Sequence, residues 1–141
     1  MSYEKKLEHF RSLFERQNNE RLARLYPDLQ PDKVGVEQGY KFDKVFIVHI
    51  TGAQGQTQRM GRYMVESRTG NIYGIKSWTQ VNKRRQYGTL DTVDQYDWSD
   101  FYARPLPGTK AEIDFVKREE SIKSTHKKRG RKPKASKLSS Q

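Results

Sequence analysis

Met60-Gly61-Arg62-Tyr63-Met64-Val65-Glu66-Ser67-Arg68-Thr69-Gly70-Asn71-Ile72-Tyr73-Gly74-Ile75-Lys76-Ser77-Trp78 decides the fold class. Two runs rich in β-formers flank Thr69-Gly70-Asn71, and Gly and Asn accept the left-handed dihedrals a tight connection needs, so the stretch reads as an antiparallel hairpin. Along the second run Ile72, Gly74, Lys76 and Trp78 fall on one face and Tyr73, Ile75 and Ser77 on the other. Lys76 and Trp78 are thus expected to project together, a charge for phosphate beside a ring for stacking. Lys83-Arg84-Arg85-Gln86-Tyr87 then sets three cations and another ring next to the hairpin.

Upstream, Phe42 to Ile50 is the strongest strand signal, with apolar residues on both faces as a covered central strand requires. His49 within it reads as a structural histidine. Thr51 to Arg59 reads as a polar loop leading to a strand that begins near Gly61, and Asp28 to Tyr40, with Pro31, Gly35 and Gly39, reads as a connection. Tyr3 to Tyr26 reads as helix, because Tyr3, Leu7, Phe10 and Phe14 recur at three or four residues between charged ones. After Gln17-Asn18-Asn19 the pattern resumes at Leu22, as a continuation or as a second helix capped by Asn18 or Asn19. The expected class is α+β, an N-terminal amphipathic helix packed on a small, mostly antiparallel sheet.

Downstream, Asp91, Asp94, Asp97 and Asp100 recur every third residue among Val93, Tyr96, Trp98, Phe101 and Tyr102. Arg104-Pro105-Leu106-Pro107-Gly108 argues against regular structure. Ala111 to Ile122 reads as a short strand or helix around Ile113, Phe115 and Val116. Beyond Ser121 apolar residues nearly vanish, so residues 1–122 are expected to form one domain and 123–141 a disordered basic tail. The hydrophobic fraction of 33% barely exceeds the charged fraction of 32%, which limits the core to a small one. The absence of cysteine excludes disulfides and thiolate ligands and fits an intracellular protein. No apolar run is long enough to cross a bilayer and no secretion signal is visible, so no membrane association is expected.

The formal charge of +11 is unevenly spread: residues 61–90 have six basic and one acidic residue, 91–120 four and eight, and 121–141 eight and none. Such separation fits a polyanion-binding chain. In Lys127-Lys128-Arg129-Gly130-Arg131-Lys132-Pro133-Lys134 two arginines flank a glycine, which lets the backbone approach the floor of a narrow, negative A·T-rich minor groove while both guanidiniums extend along it. This stretch resembles an AT-hook, with Arg129-Gly130-Arg131 matching the central Arg-Gly-Arg and Pro133 the following proline; Lys132 stands where proline commonly follows directly. The resemblance implies that Arg129 and Arg131 enter the groove, that Gly130 permits the approach, and that Lys128, Lys132 and Lys134 meet backbone phosphates. The same octamer resembles a nuclear localisation signal.

Within the domain, Arg62, Lys76, Lys83, Arg84 and Arg85 are candidate phosphate contacts, with Trp78 and Tyr87 as stacking rings. The glycines of 52–57 lack a Gly-Lys-Ser or Gly-Lys-Thr ending, and His9, His49 and His126 have no zinc-ligand spacing, so no cofactor, metal site or catalytic residue is assigned. The expected function is noncatalytic DNA binding, regulatory or architectural, on duplex DNA with an A·T preference, in the nucleus of a eukaryotic host or otherwise in cytoplasm or nucleoid. Two alternatives stay open: a DNA-tethered adaptor whose folded body binds a protein, and a metal-dependent nuclease in which Asp91 to Asp100 converge with Glu66 or His49. Oligomeric state is not legible.

Overall fold

Helix α1 (Tyr3–Leu25) runs unbroken for 23 residues in a computed structural model that describes residues 2–51, 55–100 and 102–131, with side chains through Ser121. Ser2 caps it, its hydroxyl accepting from the Lys5 N–H at 3.3 Å, and Pro27 follows its end. Leu7, Phe10, Leu13 and Phe14 form the buried stripe. Gln17-Asn18-Asn19 does not start a second helix; these amides face tertiary partners instead. Gln17 Oε1 accepts from the Trp98 N–H at 2.7 Å, and Asn19 bonds both the N–H and the C=O of Asp32 at 2.8 Å. Asn18 Nδ2 donates to Asp32 Oδ2 at 3.0 Å.

The chain divides into two units, Met1–Arg104 and Pro105–Gln141. In the first, α1 packs on a five-stranded antiparallel sheet of β1 (Lys33–Glu37), β2 (Phe42–Thr51), β3 (Gln56–Glu66), β4 (Asn71–Ser77) and β5 (Gln80–Thr89), in that order across the sheet. The architecture is α+β, as expected. Gly70, at φ +78°, makes the β3–β4 connection, and its N–H donates to Glu66 O at 2.7 Å. Two strands lie where loops were expected. β3 begins at Gln56 rather than near Gly61, because its polar start pairs with the end of β2, Gln56 opposite Thr51. β1 occupies the supposed connection: a Cβ on Gly35 would sit 2.7 Å from Phe46 Cζ, so the glycine that reads as a breaker lets the ring lie across the strand.

The core is aromatic. Trp98 is fully buried, with ring centroids 4.6 Å from Phe10 and 5.2 Å from Tyr63, and Tyr63 lies 5.3 Å from Phe14 and 5.4 Å from Tyr87. Edge-to-face contacts of this kind add to the burial of each ring. Trp98 Nε1–H donates to Val93 O at 2.9 Å, so its one polar atom is satisfied. The unit ends through a 3-10 turn (Val93–Gln95) and two short strands, β6 (Tyr96–Asp97) and β7 (Arg104–Pro105), the latter at the boundary between units.

In the second unit Thr109 Oγ1 accepts from the Glu112 N–H at 3.3 Å as an N-cap, and Glu112 Oε1 reaches one residue further back to accept from the Gly108 N–H at 3.0 Å. Helix α2 (Lys110–Arg131) follows for 22 residues, taking in the backbone of 123–131, where the sequence reading begins a disordered tail. Lys132 and Lys134 of that tail lie outside the described residues. No helix among the described residues is long and apolar enough to cross a membrane.

Candidate nucleic-acid interface

The register of β4 on β5 creates the most conspicuous charged feature of the first unit. Tyr73 pairs with Gln86 and the next residue, Gly74, with Asn82, so Lys83, Arg84 and Arg85 have no partner on β4 and form a three-residue bulge. All three are exposed. Bulges bend a strand and re-aim its side chains. The Arg84 N–H donates to Asn82 Oδ1 at 3.2 Å, a local turn that holds the bulge. Lys83 Nζ lies 5.7 Å from the centroid of Phe42, and the Arg85 guanidinium 4.3 Å from that of Tyr102. Other cations are neutralised, as in Lys6–Asp91 at 2.7 Å, Arg21–Asp100 at 3.5 Å and Lys44–Glu37 at 3.3 Å. Among the described residues Lys83, Arg84 and Arg85 form no salt bridge.

Beside the bulge the sheet opens. β3 and β4 pair through Met64–Tyr73 and Val65–Ile72 and then separate. Arg62, Tyr63, Asn82, Arg85, Tyr87 and Tyr102 line the resulting cavity of about 140 Å³, with Gly61, Gly74 and Ile75. A second bulge supplies Arg62: Val45 pairs with Tyr63 and Phe46 with Gly61, leaving Arg62 as the extra residue. Its Nη2–H donates to Asp100 O at 3.1 Å, and its guanidinium lies 5.4 Å from the Phe14 centroid. Tyr63 is 2% exposed, and its hydroxyl makes no hydrogen bond of good geometry among the described residues, although the Arg62 guanidinium and the Ala103 N–H lie beside its oxygen. Burial pushes its pKa up, and the Arg62 cation beside it pulls the other way.

The remaining candidates are separated. Lys76 is exposed and is itself the extra residue of a bulge, between Ile75–Val81 and Ser77–Gln80. Trp78 has left the strand for the Trp78-Thr79 turn, so the expected shared face of Lys76 and Trp78 does not form. The Trp78 ring packs 5.7 Å from Phe46 with Lys44 Nζ 3.7 Å over it, and it is 36% exposed. Lys44 was not singled out in the sequence, although the alternation Phe42, Lys44, Phe46 marks it as sharing a face with two rings. The Tyr87 ring is buried against Tyr63 and Trp98, committed to the core rather than to stacking.

The four aspartates do not converge. Asp91 pairs with Lys6, Asp94 with His9 at 3.1 Å and Asp100 with Arg21, while Asp97 accepts from Ser99 N–H and Oγ–H. Among the described residues no three His, Cys, Asp or Glu side chains are grouped to hold a metal ion. His49 Nδ1 lies 2.6 Å from Asp32 Oδ1. Of the hook-like motif, Lys128, Arg129, Gly130 and Arg131 have helical backbone at the end of α2.

Comparison with known proteins finds no matching family model, no matching curated protein and no matching solved structure.

Proposed function

We propose that the chain is a noncatalytic DNA-binding protein, regulatory or architectural, in which the Lys83-Arg84-Arg85 bulge holds backbone phosphate and the 128–134 segment adds a contact with an A·T-rich minor groove. The observation that carries this reading is the bulge: three consecutive exposed cations looped out of the β4–β5 ladder, without carboxylate partners among the described residues. A charged edge strand also deters pairing between sheets, but a single lysine achieves that without three unpaired residues. Looping out costs ladder hydrogen bonds, which a phosphate contact offsets only when the polyanion is present. Nuclear or nucleoid location follows from a DNA partner.

The tail requires one rearrangement. Entry into a narrow groove needs extended backbone at Arg129-Gly130-Arg131, which is helical at the end of α2, so that end must unwind first. Helix ends fray readily, and Gly130 lowers helix stability there by about 1 kcal/mol relative to alanine. Unwinding is therefore a small cost against two guanidiniums entering a narrow groove.

The test measures full-length protein on A·T-rich duplex, G·C-rich duplex and single-stranded DNA across a salt series. The Lys83→Gln/Arg84→Gln/Arg85→Gln variant is expected to lose affinity on all three. The Lys128→Gln/Arg129→Gln/Arg131→Gln variant is expected to lose the A·T preference. Undiminished binding by the first variant overturns the role of the folded unit and leaves it as an adaptor for another protein; absence of DNA binding by the unsubstituted chain overturns the proposal outright.

A further inference from the structure

We infer that the cleft between β3 and β4 is a receptor for a phosphate monoester, the terminal phosphate of a nucleic-acid strand, held by Arg62 and Arg85 with the Tyr63 hydroxyl as a third donor. The inference rests on the nucleic-acid reading above and adds which part of the strand this site takes.

Size sets the first limit. At about 140 Å³ the cleft is well below the roughly 300 Å³ at which pockets for whole small molecules begin, yet it holds a phosphate group with a few waters at about 30 Å³ each. Glycine keeps it open from both strands. A Cβ on Gly74 would come within 3.3 Å of Arg85 Cβ, and one on Gly61 within 2.7 Å of Ile75 Cδ1.

Charge sets the second. Among the described residues the lining contains two guanidiniums, delivered by separate bulges on β3 and β5, and no carboxylate. Guanidinium forks match phosphate oxygens with paired N–H donors. A monoester carries between one and a half and two negative charges near neutral pH, against one for a diester, so it gains more from two cations in one recess. A diester must also let the chain leave on both sides; a terminal group needs one exit.

The third observation is the Tyr63 hydroxyl. A buried donor without a partner is uncommon in folded proteins and calls for an explanation. Tyr63 lines this cleft, and the groups beside its hydroxyl, the Arg62 guanidinium and the Ala103 N–H, are both donors, so an oxyanion reaching it beside Arg62 supplies the missing acceptor. At the rim, the Tyr102 ring under Arg85 offers a face for the terminal base, and Lys83 and Arg84 meet the phosphates that follow.

The experiment compares 5′-phosphorylated, 3′-phosphorylated and fully hydroxyl-ended single strands of one sequence, bound to the full chain at equal ionic strength, with inorganic phosphate as a separate probe. Phosphate at one end is expected to tighten binding about tenfold, the increment expected of charged hydrogen bonds. That gain should vanish in Arg85→Gln and fall several-fold in Tyr63→Phe, which keeps the ring and its packing. Equal affinity for all three ends, with affinity still lost in Lys83→Gln/Arg84→Gln, overturns the terminal-phosphate site and leaves nucleic-acid binding standing. If no oligonucleotide binds, the nucleic-acid reading falls. Inorganic phosphate then decides the site: a thermal shift absent from Arg85→Gln upholds it, and no shift in the unsubstituted chain overturns it.

Discussion

At the scale of single residues, Trp98 and Tyr63 show how differently two buried aromatics serve one core. Trp98 is satisfied on every side, by rings, by Val93 O at Nε1 and by Gln17 at its own N–H. Trp98→Ala should cost about 3–5 kcal/mol, a large part of the 5–15 kcal/mol that holds a domain together, and leave the protein close to unfolded in a urea titration. Tyr63 contributes its ring but has an unsatisfied hydroxyl, so Tyr63→Phe should leave the urea midpoint unchanged or raise stability by up to about 1 kcal/mol. Its titration gives a second check. Burial raises the phenol above its ordinary value of 10.0, so folded and unfolded chains are both protonated below that pH, and above it only the unfolded chain ionises readily. The stability tied to the proton is intact below pH 10 and is lost as pH climbs through the raised folded value. Tyr63→Phe should therefore flatten the loss of stability measured from pH 9.5 to 11.

At the scale of elements, the join of α1 to β1 depends on polar side chains as much as on apolar burial. Arg11 Nη1–H donates to Val34 O at 3.2 Å, Glu15 Oε2 accepts from Val34 N–H at 2.9 Å, and Asn19 brackets Asp32, so helix side chains satisfy a short edge strand. Asn19→Ala strands two backbone groups of Asp32 and should cost about 2–3 kcal/mol. Hydrogen exchange should show β1 losing protection before β2 or β3. These partners explain what the sequence conceals. α1, β2 and the hairpin at Gly70 were legible because periodicity and turn chemistry are local. Gln17-Asn18-Asn19 reads as a break only until Trp98 and Asp32 are placed opposite it, and Gly35 reads as loop until Phe46 lies across it. The bulge at Lys83-Arg84-Arg85 is a fact of register between two strands: the sequence shows three cations together but not that they stand outside the ladder. The same holds for Arg62 and Arg85, named as separate phosphate contacts and brought to one cleft only where β3 and β4 part.

At the scale of the whole chain, charge separation becomes a quantity that salt measures. Of the four aspartates in 91–100, three are engaged by the N-terminal helix, since Lys6, His9 and Arg21 take Asp91, Asp94 and Asp100. Were these aspartates to hold the basic 121–141 segment in the absence of DNA, they would have to give up pairs already made. Asp91→Asn/Asp100→Asn should lower stability by under about 1 kcal/mol, as exposed pairs do, without raising DNA affinity at low salt. On the proposed function, binding should instead depend on cations such as Lys83, Arg84 and Arg85, which form no salt bridge among the described residues. Each phosphate neutralised on duplex DNA contributes about 0.9 to the slope of log affinity against log salt, because counterions are released. Replacing Lys83, Arg84 and Arg85 by glutamine should thus reduce that slope by about 2–3 on A·T-rich and G·C-rich duplex alike, since backbone contacts do not read sequence. Replacing Lys128, Arg129 and Arg131 should reduce it by a similar amount while removing the difference between the two duplexes, because only the groove contact distinguishes them. Independent sites predict that the six-residue variant loses the sum of the two slopes. A slope already abolished by either triple substitution would show that one segment alone meets the phosphates.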